Sequence, residues 1–486
     1  MAVGAGLLAV TGAAWAAKPN LLIIHTDEQN FRTLGCYRAL LSKEEAFVWG
    51  DGIAVETPHV DSLARRGVIC DRFYAASPVC TPSRASFLTG CYPQNTGAPA
   101  NDMALRDDVL TFAEVLRRNG YATGYAGKLH VDGPARPGWT PARHLGFTDN
   151  RYMFNRGHLK QLEDTTNGPA VKARNPKGAP TYAVAGADAK SYTTDFLADK
   201  AVAFIQAHQH EPFCFMLAIP DPHDPNTVRP PYDTMFTNYN FHLPSSANGK
   251  GIMKNMPRYF GMVKCIDDNV GKILDALKTA GVLDNTIVIF TSDHGEMAGE
   301  HSLINKGYPY EASARIPFII DYPGKISPGT VLHDALDTVD FKPTILSLLG
   351  LPRDEHDEGR DCAALFLSGQ APADWKNVVF SRNAYGHWLM AVSTRFKFVV
   401  YPDHDPDLFD LEQDPFEMKN IFSEPRSREP MRELARALTD YAKKFKDPYA
   451  DHPAMKADLA WAGEGTGPYV TPKRDAAAKD KNASDE

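Results

Sequence analysis

Three short runs, Leu21 to Ile24, Phe213 to Ile219 and Ile287 to Phe290, are apolar at every position. A strand with one face in water alternates polar and apolar residues, so unbroken runs predict strands buried on both faces, in the middle of a parallel sheet. Between the runs the period lengthens to that of a helix. Leu197, Ala201, Phe204, Ile205 and His208 share one face, as do Ile266, Val270, Ile273, Leu274 and Leu277. Thr111 with Glu114 forms a capping box that opens a helix, which Gly120 closes. Strands alternating with helices predict an α/β fold, a large doubly wound mixed sheet flanked by helices.

After about residue 375 the texture changes. Val378 to Phe380, Met390 to Val392, Phe396 to Val400 and Leu408 to Leu411 are closely spaced strand candidates, followed by a helix near Arg428 to Lys444. This predicts a main domain over 18–375 and a smaller C-terminal α+β subdomain over 376–462, built on an antiparallel sheet. From Gly463 to the end the chain is rich in Ala, Lys and Asp, which predicts a disordered tail. Residues 1–17 have an apolar centre and the cleavage-like Ala14-Trp15-Ala16, the pattern of a signal peptide, so export to a bacterial periplasm or medium is expected. The one Asn-x-Ser/Thr site, Asn482, lies in the tail, which favours a bacterial envelope over a glycosylated compartment. No later stretch is long and apolar enough for stable membrane insertion.

At 486 residues and 43% hydrophobic, the chain can fill a sizeable core. Its net charge of -8 excludes the basic excess of a nucleic-acid binder, so an anionic substrate has to be drawn by a local cluster of positive groups. Such groups, and the acids to go with them, fall where open α/β sheets place their sites, just beyond strand carboxyl ends. Asp27 and Glu28 follow the first apolar run, and Asp293 and His294 follow the third. Carboxylates converging there repel one another unless a cation sits among them, which predicts a divalent metal. The run Cys80 to Gly90 has Pro82 suited to a first helical position and Gly90 to the place just past the last. The Cys80 thiol then faces a helix N-terminus, a site attractive to an oxyanion, with Arg84 one turn in. The other six cysteines permit disulfides without fixing any pairing.

The pattern Cys80-x-Pro82-x-Arg84, followed by Ala-Ser-Phe-Leu-Thr-Gly, resembles the signature of the type I sulfatases of the alkaline phosphatase superfamily. The resemblance implies that Cys80 is oxidised by a formylglycine-generating maturation enzyme to Cα-formylglycine, whose hydrate supplies a nucleophilic oxygen. Thr291 to Glu296 resembles the family's second metal-binding strand end. The implied ligands are Asp27, Glu28, Asp293, His294 and residue 80, holding Ca2+, with Mg2+ the runner-up. Glu28 stands where the family commonly has a second Asp, and the adjacent Gln29 is the alternative ligand.

Further segments match in family order: Gly120 to His130 supplies Lys128 and His130, Pro220 to Pro225 supplies His223, and Asn305 to Tyr308 supplies Lys306. By resemblance, Arg84, Lys128 and Lys306 neutralise sulfuryl oxygens, His130 orients or deprotonates the hydrate, and His223 protonates the leaving oxygen. The implied substrate is a sulfated carbohydrate. Asn101-Asp102 and the segment carrying His387 and Trp388 are candidates to bind the sugar, the alternatives being a capped turn for the former and, for the latter, a hairpin whose aromatics pack the junction. A phosphonate or phosphate ester hydrolase of the same superfamily, and a non-catalytic glycan-binding relative, are the competing readings.

Overall fold

The computed structural model describes residues 18–249, 251 and 254–476; the expected signal peptide and the tail with Asn482 lie outside the described residues. Eight strands form the main sheet: β1 (Asn20–Asp27), β2 (Val68–Cys70), β3 (Ala122–Lys128), β4 (Asp149–Phe154), β5 (Phe213–Pro222), β6 (Thr286–Ser292), β7 (Phe318–Asp321) and β8 (Thr330–Leu332). Their spatial order is β8-β2-β7-β6-β1-β5-β3-β4, and only β7 runs against its neighbours. The three all-apolar runs are adjacent at the centre, with Leu22 of β1 paired to both Phe215 and Val288.

Alternate residues of β1 feed two cores. Leu21 and Ile23 pack with Phe87, Phe112 and Phe341 on one face; Leu22 and Ile24 pack with Phe204, Ile266 and Ile273 on the other. Helices Cys80–Thr89, Phe112–Arg118 and Phe341–Leu348 thus cover one face, and Pro58–Arg66, Thr193–His208 and Met256–Thr279 the other. The expected capping box is present, with the Glu114 N–H donating to Thr111 Oγ1 and the Thr111 N–H to Glu114. The Cys80 helix starts earlier than its proline implied: Cys80 is its first residue and Pro82 its third. Proline is harmless there because no N–H of the first turn has an intrahelical acceptor. Gly90 ends this helix in the left-handed region at φ 69°, where a Cβ would meet that of Lys342 at 3.1 Å.

The second unit is a four-stranded antiparallel sheet of β9 (Val378–Arg382), β10 (Leu389–Ser393), β11 (Phe396–Val400) and β12 (Asp407–Asp410). Helix Arg428–Phe445 covers one face through Met431, Leu434 and Leu438. The other face lies on the main domain, where Trp388 packs with Tyr74 and Ala314. Across this junction the Lys397 ammonium reaches Glu311 Oε1 at 2.8 Å, Glu417 Oε1 at 2.6 Å and the Pro309 carbonyl at 2.8 Å, all within the interior. The stretch expected to be loose from residue 463 begins inside helix Pro453–Glu464, and near its described end Arg474 is bonded to buried Asp458 at 2.6 Å. All seven cysteines are free thiols. Among the described residues no helix is long and apolar enough to cross a membrane.

Candidate active site

Strand ends and one helix start build the site. Asp27 is the last residue of β1, Asp293 and His294 follow β6, and Cys80 opens its helix. All four are fully buried, and one ligand atom from each lies within 4.8 Å of every other. His294 Nε2 is 3.2 Å from Cys80 Sγ, 3.7 Å from Asp27 Oδ1 and 3.6 Å from Asp293 Oδ1. Its Nδ1 bonds the Gly295 carbonyl at 2.9 Å, so that nitrogen carries the proton and Nε2 faces the group with a lone pair.

The two aspartates use their oxygens differently. Their Oδ2 atoms meet cations: Arg84 Nε reaches Asp293 at 2.9 Å, Arg84 Nη2 reaches Asp27 at 3.2 Å, and Lys128 Nζ reaches Asp27 at 2.8 Å. Their Oδ1 atoms converge on His294 and the position of Cys80 Sγ. Asp293 Oδ1 is held in place by the N–H groups of Glu28 and His294, at 3.1 and 2.9 Å. Two inward carboxylate oxygens, an imidazole lone pair and a sulfur standing where an oxygen of modified residue 80 would stand make a donor set that fits a divalent cation.

Electrostatics agree with this division. Burial alone would raise the Asp27 carboxyl, but Lys128 and Arg84 outweigh it and hold it well below the usual range. Asp293, with burial and Asp27 acting on it, is pushed up despite Arg84. Burial and Asp27 would raise the Cys80 thiol, yet Lys128 and Lys306 bring it well below its ordinary value. The pocket therefore stabilises negative charge at residue 80.

Several expected roles change. Glu28 does not join the ligand group. Its backbone sits at φ 63°, and its Oε1 takes Lys254 at 2.5 Å while Oε2 takes His223 at 2.7 Å and Lys306 at 3.1 Å. Both of its oxygens are committed to cationic partners, among them the His223–Lys306 pair. Arg84, which the resemblance sets on the sulfuryl oxygens, has Nε and Nη2 on the aspartates and Nη1 on the Lys128 carbonyl at 2.7 Å, so it braces Asp27 and Asp293. Trp388 is 3% exposed and its indole N–H donates to the Gly307 carbonyl at 3.0 Å, so it packs the junction and is out of a sugar's reach. His387, half-buried, borders a separate surface cleft with Tyr385 and Tyr449. Asn101 accepts the Thr81 N–H at 3.1 Å, which caps the Cys80 helix.

The remaining expected residues come together. Lys128 Nζ lies 3.7 Å from Cys80 Sγ, and Lys306 bonds His223 Nε2 at the more open side. His130 is 1% exposed at φ 58°, and its ring nitrogens make no hydrogen bond among the described residues; Asp102 Oδ1 lies 3.8 Å from Nε2.

Four residues were not anticipated. His158 stacks on His223 with ring centroids 3.6 Å apart and takes Lys128 Nζ at 2.7 Å. Asp27, His158 and His223 could by composition hold a cation, but the Lys128 ammonium already sits between Asp27 and His158. Lys254 lies between Glu28 and Glu296, 2.5 Å from each; burial pushes Glu296 up to about 8, Lys254 opposing and Glu28 adding. Arg156 pairs with Asp102. His158 and Arg156 follow β4 directly, so the strand-end rule locates them once that strand is known; its polar sequence, Asp149 to Phe154, hides it.

Comparison with known proteins gives a consistent result. A family model described as Sulfatase matches residues 19–351, and one described as N-sulphoglucosamine sulphohydrolase, C-terminal, matches residues 299–444. The chain is 27% identical over 471 residues to an uncharacterized sulfatase, YidJ, of Escherichia coli, spanning 90% of this chain and 89% of that one. It is 29% identical to an ulvan-active sulfatase of Formosa agariphila, spanning 84% and 78%, and 24% identical to an N-acetylglucosamine-6-O-sulfatase of Bacteroides thetaiotaomicron, spanning 92% and 90%. A solved structure in complex with its substrate D-glucosamine-2-N,6-O-disulfate superposes with TM-score 0.73 at 22% identity, over 89% of this chain and all of that one. A phosphonate monoester hydrolase of Silicibacter pomeroyi superposes with TM-score 0.68 at 23% identity, over 89% and 97%. At these identities the superpositions speak for the fold.

Proposed function

Because the chain belongs to the sulfatase family and is a sulfuric ester hydrolase, we propose that the Cys80 pocket is its active centre and that its substrate is a sulfated carbohydrate. The observation that carries the reading is the convergence of Asp27 Oδ1, Asp293 Oδ1 and His294 Nε2 on the side chain of residue 80. In this reading Cys80 is converted to Cα-formylglycine, the hydrate of which offers a nucleophilic oxygen. Asp27, Asp293, His294 and residue 80 would hold a divalent cation, the oxygen-dominated donor set suiting Ca2+, with Mg2+ the runner-up. When bound, that cation supplies positive charge to the sulfuryl oxygens and to the attacking oxygen.

The chain's own groups divide the remaining work. Arg84 fixes the two aspartates by their outer oxygens and so keeps the inner ones aimed. Lys128, fixed by Asp27 and His158, places an ammonium beside residue 80, where negative charge builds up. His130, whose ring nitrogens make no hydrogen bond among the described residues, is placed to hold or accept a proton of the hydrate. His223, shared between Glu28 and Lys306, donates a proton to the departing alcohol. The relatives named for sulfated sugars support the carbohydrate, and the signal-like N-terminus supports export. Candidates at every catalytic position, Cys80, Lys128, His130, His223 and Lys306 among them, speak against the non-catalytic alternative.

Peptide mass spectrometry across Ser77 to Arg84, combined with turnover of aryl sulfate, aryl phosphate and aryl phosphonate monoesters, tests the reading. An aldehyde at residue 80 and preferred hydrolysis of the sulfate are expected. Preferred hydrolysis of the phosphonate by the converted protein would transfer the site to the competing ester class.

A further inference from the structure

Beside His130 a second polar pair opens toward solvent. Asp102 lies on the turn after the Cys80 helix, at φ 65°, with its side chain 38% exposed; Arg156 lies just beyond β4, 8% exposed. Arg156 Nη1 pairs with Asp102 Oδ1, and among the described residues no hydrogen-bond partner meets Arg156 Nε. The chain just beyond Asp102 and the Arg156 backbone are anchored. The Leu105 N–H donates to the Val131 carbonyl at 3.1 Å and the Arg106 N–H to that of Thr96 at 3.0 Å. The Arg156 N–H donates to the Pro137 carbonyl at 3.1 Å, and Asn155 Nδ2 to that of Gly133 at 2.7 Å. The neighbouring residue Asn101 caps the Cys80 helix, so the pair stands next to the nucleophile's own support.

We propose that Asp102 and Arg156 form a hydroxyl-binding subsite for the alcohol half of the ester, in which one carbohydrate hydroxyl donates to the Asp102 carboxylate and accepts from the Arg156 guanidinium. A hydroxyl is at once donor and acceptor, which a carboxylate set against a guanidinium matches. The pair is neutral as a whole, and the partly exposed carboxylate repels a second anion, so a uronate carboxylate or a further sulfate is a poor occupant. A site built to bond a hydroxyl discriminates strongly against an analogue that lacks it, because the site's polar groups are then left unpaired. The proposal rests on the sulfatase reading above and adds what the pocket demands of the alcohol.

The test compares kcat/KM for 4-nitrophenyl sulfate with that for a set of monosulfated hexoses and hexosamines, in fully converted protein and in Asp102→Ala and Arg156→Met variants. In each variant the ratio of hexose to aryl activity should fall about 100-fold or more. Arg156→Lys, which keeps the charge but loses the fork, should recover only part of that ratio, and it gives the same comparison if Arg156→Met does not fold. Equal losses on both probes would make the pair a structural brace and overturn the proposal, as would an unchanged ratio. Wild-type protein that turns over the aryl ester but none of the sugars also overturns it, while leaving the sulfatase reading intact. Turnover of neither probe by converted protein would sink the sulfatase reading itself, and the subsite with it.

Discussion

Two buried clusters of carboxylates and lysines stand in contrast. Under the small sheet, Lys397 lies between Glu311 and Glu417, and the outer oxygen of Glu311 meets Arg72 at 3.4 Å and Arg315 at 3.6 Å. Every carboxylate there finds a cation supplied by the chain. In the pocket, Arg84 and Lys128 satisfy only the outer oxygens of Asp27 and Asp293, while the inner ones face an imidazole lone pair and residue 80. Buried charge is tolerated when it is paired. A cluster complete in itself holds two units together; one left open on its inner side is arranged for something the chain does not supply.

Four experiments bear on that contrast. The largest effect should come from Cys80→Ala, with turnover reduced by about 10^4-fold or more and a melting temperature close to wild type. Appreciable residual kcat/KM would remove the pocket's claim to be the open cluster. Lys397→Met should cost about 3–5 kcal/mol by denaturant titration, since it strands two buried carboxylates, while activity per folded molecule stays near wild type. A loss of less than about 1 kcal/mol would mean that the junction cluster is not the saturated structural element it resembles. Third, Ca2+ returned to chelator-treated protein at about 100 times its Kd should stabilise the fold by about 2.7 kcal/mol, read as a rise in melting temperature, and Asp293→Asn should abolish that rise.

The smallest effect concerns pH. Burial pushes Glu417 up to about 7, with Lys397 opposing and Glu311 adding, so the folded state keeps a proton that the unfolded chain gives up at an ordinary carboxyl value. Its contribution is complete at low pH and is lost as pH rises through about 7. Glu417→Gln should flatten that part of the melting-temperature profile by an amount on the order of 1 kcal/mol. An unchanged profile would place the titration elsewhere.

How much of this was legible in the sequence depended on regularity. Residues 21–24, 213–219 and 287–290 announce the central strands because burial on both faces leaves only apolar residues there, and the strand ends then locate Asp27, Asp293 and His294. Glu28 is adjacent to Asp27, yet a left-handed backbone turns it onto Lys254, and no spacing rule foretells that turn. Lys254, Arg156 and His158 come from irregular segments whose place is set by tertiary packing, so their sequence carries no period to read. Trp388 looked able to meet a sugar because its segment is polar; the sheet's second face, which covers it, is visible only in three dimensions.

The helix that begins at Cys80 is buried at all ten of its positions. No protein-sized catalyst can grip that segment once the sheet has closed over it. An enzyme that acts on residue 80 would have to reach it before the sheet closes over the helix. The yield of competent protein is then decided by a race between two rates, and substitutions that merely hasten collapse would leave more of the chains with an untouched sulfur.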